Sequence, residues 1–247
     1  MKIAVAGGTG VVGSVLVDQL AAAGHEPVVL ARGAGVDLLT GDGLAGRLDG
    51  VDAVVDVTSI ATTRGGPATE FFTRTTGTLL DAGRAAGVRH HVLLSIVGID
   101  VTPFGYYVGK VAQERLVEDA PVPSTIIRAT QFHEFADQMI DRSGFGPVVF
   151  APVMQAAPIA AGEVAALLAG IATGAPQGRA GDVRGPEELS VPEMTRRLLR
   201  RRGSRRLVVP APLPGKAGRA MRGGALIPDD PGTVGTQTFD QWLAEQS

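Results

Sequence analysis

The stretch FGYYVGKVAQE, residues 104–114, holds both tyrosines of the chain, Tyr106 and Tyr107, and one of its three lysines, Lys110. A phenol and an ammonium held close together form a proton-transfer pair. The positive charge favours phenolate and draws a tyrosine pKa down from about 10, which suits a group that protonates a carbonyl oxygen and is then recharged. Tyr106 precedes Lys110 by four positions and Tyr107 by three. On a helix either phenol shares a face with the ammonium, so spacing does not choose between them. The plain alternative is an aromatic pair packing at a helix start beside an exposed lysine. Of 23 basic residues only Lys2, Lys110 and Lys216 are lysine. A lysine is a compact charge whose pKa moves readily, unlike the wide arginine fork, and its use here favours chemistry.

Such a pair needs a partner reagent, and the N-terminus offers a place for one. KIAVAGGTGVVGSVLVDQL, residues 2–20, reads as a strand, then Gly8-x-Gly10-x-x-Gly13, then a helix. Glycines there allow a tight turn and close backbone approach to a pyrophosphate, and the helix start presents free N–H groups and a partial positive charge. The second strand ends in VVLARGAG, with Arg32 where an enzyme selective for NAD carries an acid. An arginine suits a 2′-phosphate, so the expected cofactor is NADP, as NADPH.

The elements that must position these groups alternate. Strands are expected over Lys2–Ala6, Pro27–Ala31, Asp37–Leu39, Ala53–Val57, His91–Ser95 and Ser124–Arg128, with helices over Val11–Ala23, Thr69–Ala86 and about Tyr107–Glu118. In the last of these, Val111, Leu116 and Val117 are expected to face inward and Gln113, Glu114 and Glu118 outward. The link from Arg32 to Asp37 is too short for a crossover helix, so a bare loop is expected there. This is an α/β pattern, a parallel sheet covered on both faces. After Arg128, proline and glycine become frequent around helices near Glu163–Ala172 and Val191–Arg201. Residues 1–247 are expected to form a single domain in which about 129–247 contribute a smaller substrate-side lobe.

With Gly7 added, giving Gly7-x-x-Gly10-x-x-Gly13, and with Tyr106-x-x-x-Lys110 after the fifth strand, the sequence resembles the extended and atypical, NmrA-like short-chain dehydrogenase/reductases. The resemblance covers nearly the whole chain and is most specific in its first 135 residues. It implies a Rossmann-type doubly wound parallel sheet with NADP(H) at the carboxyl edge of the strands. Backbone contacts to the cofactor would come from Gly7, Thr9, Gly10, Val11, Val12 and Gly13. Asp42, Thr58 and Ser59 match positions that contact adenine and the adjacent ribose. Tyr106 is the tyrosine in register and becomes the acid/base, with Lys110 also bonding the nicotinamide ribose. Ser95 falls at, or one residue from, the place of a carbonyl-orienting serine, followed here by Ile96 and Val97 instead of further hydroxyls. The family's relay asparagine has no counterpart, because the chain contains no asparagine; Thr75, Thr76 and Thr78 are candidates to replace it. In IIRATQFHEF, Phe132 and His133 would face the substrate, although a helix-start histidine also has a purely structural reading.

Other function classes find little support. There is no cysteine, which removes thiolate catalysis and cysteine-bound metals, and no His, Asp and Glu set has metal-ligand spacing. A net charge of −2 gives no global pull toward nucleic acid. TRRLLRRRGSRR, residues 195–206, carries seven arginines but no interleaved aromatics, and reads as an amphipathic helix with a salt-bridged face. No apolar run reaches membrane-spanning length. The expectation is a cytoplasmic NADPH-dependent oxidoreductase acting on a small carbonyl, quinone or enone. The alternatives are a non-catalytic NADP(H)-sensing regulator and a cyclase, dehydratase or isomerase on the same fold.

Overall fold

The first strand and helix follow the apolar pattern closely: β1 (Lys2–Ala6) runs buried into the glycine loop, and α1 (Val11–Ala22) turns Val12, Leu16 and Leu20 inward. The structure, a computed structural model, describes residues 1–246. The chain continues through β2 (Glu26–Leu30), β3 (Ala53–Asp56), α2 (Gly65–Ala85), β4 (His90–Ile96), α3 (Gly105–Glu118) and β5 (Ser124–Ala129). Then come α4 (Phe135–Ser143), β6 (Gly144–Phe145), β7 (Val148–Pro152), β8 (Gln155–Ala156), α5 (Ala161–Thr173) and β9 (Gly178–Arg179). The remainder is β10 (Val183–Arg184), β11 (Leu189–Ser190), α6 (Val191–Arg201), β12 (Leu207–Ala211), α7 (Gly215–Arg222), β13 (Thr233–Val234) and α8 (Phe239–Glu245).

Two units are formed. The first comprises residues 1–95, 104–128 and 162–181, and the second residues 96–103, 129–161 and 182–247. In the first, the strands lie in the order β5-β4-β3-β1-β2, with β9 beside β5. The pairings of β1 with β2, β1 with β3, and β3 with β4 are parallel. Every residue of β3 is buried, as in strands covered on both faces. The order reverses between β1 and β3, and in such sheets ligands bind in the crevice outside the carboxyl ends of the two strands flanking the reversal.

The segment expected as a strand over Asp37–Leu39 is not one. It forms a single antiparallel bridge between Asp37 and Asp42, inside a run of turns. Asp37 accepts the Leu39 amide through its own carboxylate, a local bond that competes with a sheet ladder. The segment still serves the core, because Val36, Leu38, Leu44, Leu48 and Val51 pack with Leu30, Val54 and Leu79.

Helix α3 corrects a second expectation: Gln113 and Glu114 are buried, at 0% and 2% exposure, not outward-facing. The helix is too close to α2 for a solvated flank. A side chain at Gly109 would meet the Ala68 backbone at 2.7 Å, so only glycine permits this approach. Tyr107, Lys110, Gln113, Glu114 and Val117 therefore form one inward stripe, and its polar members are tolerated because they are paired.

The second unit holds a three-stranded sheet, β12-β7-β6, the antiparallel pair β11-β8, and the parallel pair β10-β13. Its core includes Ala136, Ile140, Met194, Leu198, Phe239 and Trp242. Leu198 and Leu199 anchor α6 while its arginines tie down neighbours: Arg197 to Glu193 and Asp240, Arg202 to Asp137, and Arg201 to carbonyls at the end of α8.

Candidate active site at the carboxyl edge of the sheet

The loop between β1 and α1 is a tight turn that only glycines allow. Gly7 sits at φ +80°, and a side chain there would meet the Val57 carbonyl at 2.9 Å. At Gly13 a side chain would lie 2.2 Å from the Gly7 carbonyl, so the turn and the first helical turn interlock only without one. The Gly10 amide donates to the Gly7 carbonyl. Gly10 caps α1 without a side-chain bond, and the first turn contains no acid. The initial amides at Val11 and Val12 are thus left for a ligand, with the helix dipole's positive end behind them. These features fit the pyrophosphate of a dinucleotide.

Arg32 opens a short 3-10 turn directly after β2, is exposed, and has no ion pair among the described residues. Asp42 is exposed in the turn region, and its amide donates to Thr40 Oγ1. Thr58 is buried, with both its amide and its hydroxyl donating to Asp56 Oδ1, at 2.9 and 2.6 Å. Ser59 has a different neighbour: its hydroxyl lies 3.1 Å from the Tyr106 phenol.

The two tyrosines are distinguished by their surroundings. Tyr107 is buried, and burial first, then the neighbouring Tyr106, push its phenol well above the usual range. Tyr106 is partly exposed and packs edge-on against Phe72, ring centroids 5.4 Å apart, with its hydroxyl at Ser59. Of the two, Tyr106 is the more exposed.

Lys110 is 3% exposed. Its Nζ donates to the Leu94 carbonyl at 2.8 Å and to Gln113 Oε1 at 2.6 Å, and lies 4.9 Å from the centre of the Phe72 ring. Burial lowers its pKa to about 8, against the opposing charges of Asp56 and Glu114. Beyond Gln113 the network continues to a fully buried carboxylate. Gln113 Nε2 donates to Asp56 Oδ2 at 3.0 Å and to Thr76 Oγ1 at 2.8 Å, and Thr76 Oγ1 donates to Asp56 Oδ2 at 3.0 Å. Asp56 thus accepts four hydrogen bonds, which is what lets a carboxylate persist at 0% exposure.

Ser95 does not join Tyr106. It is 2% exposed and its hydroxyl makes no well-formed hydrogen bond. Burial raises the pKa of Glu114, but the hydrogen bonds and charge of Arg128, with a further bond from Arg179, outweigh it and hold the carboxyl below the usual range. Arg128 and Arg179 approach one Glu114 oxygen at 2.8 and 3.0 Å. His91 is buried and kept below its ordinary pKa by desolvation, against the pull of Asp56.

Of the two residues expected to face the substrate, His133 is fully buried in the second unit, its ring 5.6 Å from Phe239 and 5.7 Å from Trp242. Phe132 remains partly exposed and bridges Ile159. Thr75 is spent on the Phe71 carbonyl, so Thr76 is the threonine in the network. Sequence reasoning missed Asp56 and Gln113. An acid closing an otherwise apolar strand, VVD, and a glutamine three residues after Lys110 were the available signals.

Among the described residues no cluster of three or more His, Asp or Glu could hold a metal, and no helix is long and apolar enough to cross a membrane. A family model described as NAD(P)H-binding matches residues 7–173. A search of curated proteins finds no match. Among solved structures, the chain is similar to MoeE5 in complex with UDP-glucuronic acid and NAD, with a TM-score of 0.71 and 19% identity, covering 100% of this chain and 97% of that one. It is also similar to the NADPH-dependent quinone oxidoreductase QOR2 of Escherichia coli complexed with NADPH (TM-score 0.69, 17% identity, 98% of each chain). A third is the Thermus thermophilus UDP-glucose 4-epimerase complex with NAD (TM-score 0.69, 19% identity, 99% of this chain and 93% of that one).

Proposed function

We propose, from the premise that the chain belongs to the NAD(P)H-binding family and carries an atypical short-chain dehydrogenase/reductase-like Rossmann fold, that it is an NADPH-dependent reductase of a small carbonyl, quinone or enone. The observation that supports the reading is the Tyr106 hydroxyl, partly exposed and 3.1 Å from Ser59, on a ring that packs against Phe72, the same ring the buried Lys110 ammonium lies over. The glycine loop, with the Val11 and Val12 amides, would hold the pyrophosphate of a nicotinamide cofactor, which would supply hydride. Tyr106 donates the proton that the carbonyl oxygen takes up, and Ser59 gives that oxygen or the phenolate a second hydrogen bond. Lys110 stabilises the phenolate left behind through its charge. It acts from inside the protein, where low dielectric strengthens an ammonium's field. Arg32 holds the 2′-phosphate that distinguishes NADPH from NADH.

The test is titration with NADPH and NADH, then a panel of carbonyls, quinones and enones followed at 340 nm. Tyr106→Phe is expected to lower kcat by about 10²- to 10⁴-fold, the range of a lost general acid, while cofactor affinity stays near wild type. Full turnover by that variant would end the proton-donor assignment. A second reading, an NADP(H)-binding regulator without turnover, is favoured by the inward hydrogen bonds of Lys110. Tight NADPH binding with no oxidation across the panel would select it.

A further inference from the structure

We propose that Gln113 is a positioning residue, a carboxamide spacer that couples the buried Asp56 carboxylate to Lys110 and sets the protonation of that lysine without touching substrate or cofactor. The inference rests on the reading of Lys110 as the cation of the site, but it concerns only groups within the first unit.

The directions of the hydrogen bonds carry it. Thr76 Oγ1 has one proton, which it gives to Asp56 Oδ2, an acceptor only, so toward Gln113 it must accept. Both Gln113 amide protons are then used, one on Asp56 and one on Thr76. Its oxygen is left pointing at the ammonium, 2.6 Å from Nζ. The reversed amide would put NH₂ against NH₃⁺ and oxygen against carboxylate, leaving four buried polar groups mismatched. The orientation is therefore dictated by Asp56 and Thr76, and the lysine receives a carbonyl acceptor whose dipole is aligned by a carboxylate on the far side.

A direct Asp56–Lys110 ion pair would hold the lysine firmly charged, and an apolar residue at 113 would leave the ammonium with Leu94 as its one protein acceptor. The carboxamide gives an intermediate environment, and the pKa of Lys110, about 8, lies where the charge responds near working pH. The charged groups acting on Lys110 are Asp56 from β3 and Glu114 from α3, with Glu114 itself held by Arg128 and Arg179. His91 from β4 is buried, and desolvation lowers its pKa against the pull of Asp56.

The experiment is NMR titration of the lysine side chains in the intact protein without added ligand, on lysine-labelled wild type, Gln113→Met and Gln113→Glu. With three lysines, the Lys110 signal is assigned by its loss in Lys110→Met. Gln113→Met is expected to lower the Lys110 midpoint by about one unit, since the charged form loses an acceptor. Gln113→Glu is expected to raise it by about one unit or more, because negative charge moves into contact with Nζ. Opposite shifts are not what general loosening of the fold produces. A midpoint unchanged in both variants, or moved the same way in both, would overturn the proposal, and if Gln113→Met does not fold, the sign of the Gln113→Glu shift still decides. Where a substrate is turned over, the pH limb of kcat/KM assigned to Lys110 follows the same two directions. If no substrate is found, the reductase reading falls while the titration still tests the network.

Discussion

At the scale of single residues, the site depends on which of two adjacent phenols is accessible and on which way one ammonium is turned. Tyr106 is partly exposed and Tyr107 is not, a difference that two neighbours on a helix acquire only from what packs around them. The proposed preference for NADPH also belongs to this scale. Arg32 is exposed just after β2 and has no ion pair among the described residues, so Arg32→Ala is expected to weaken NADPH binding by roughly tenfold or more, the worth of a lost charge-assisted hydrogen bond. NADH affinity should barely change. Isothermal titration with both cofactors checks this, and equal losses for the two would remove Arg32 from the specificity argument.

At the scale of elements, the strand–loop–helix unit and the α2/α3 pair do different work. The loop is a backbone device: Gly13→Ala forces a carbon to within 2.2 Å of the Gly7 carbonyl. The expected result is loss of NADPH binding below detection together with destabilisation of about 1–3 kcal/mol, read by calorimetric titration and by urea unfolding. Retention of wild-type affinity would mean the loop holds no pyrophosphate. This element was legible in the sequence because its glycines sit at fixed offsets from a buried strand. The inward stripe of α3 was not. Helical periodicity treats Gln113 and Glu114 as surface residues, and only Gly109 against Ala68, with Asp56, Thr76 and Arg128 waiting as partners, makes their burial affordable. The missing third strand has the same lesson, since Leu38, read as part of a strand over Asp37–Leu39, is buried from within a run of turns.

At the scale of the molecule, the buried charges make stability depend on pH. The folded-state pKa of Lys110 is about 8, below its ordinary value of 10.5. Between those values the unfolded chain binds a proton that the folded chain has released, so this lysine makes stability rise with pH across that window. The slope is at most about 1.4 kcal/mol per pH unit. Urea midpoints from pH 8 to 10 should therefore rise more steeply in wild type than in Lys110→Met; parallel curves would show that the lysine is not desolvated in solution. Glu114 works at the other end. Its folded pKa is depressed, so its contribution is present above the ordinary carboxylate range and lost as pH falls through the folded value.

The alternating α/β order, the glycine loop, Arg32 after the second strand and the Tyr106/Lys110 spacing are legible in the linear chain, because each depends on residues near one another along it. The fold decided that Ser95 is buried while Ser59 meets Tyr106, that His133 packs against the stacked Phe239 and Trp242 rings, and that Asp56, Thr76 and Gln113 stand behind Lys110. The three members of that network come from β3, α2 and α3, 20 and 37 positions apart along the chain. No local pattern encodes such a meeting, since it follows from which strand ends and helix faces the sheet order brings together.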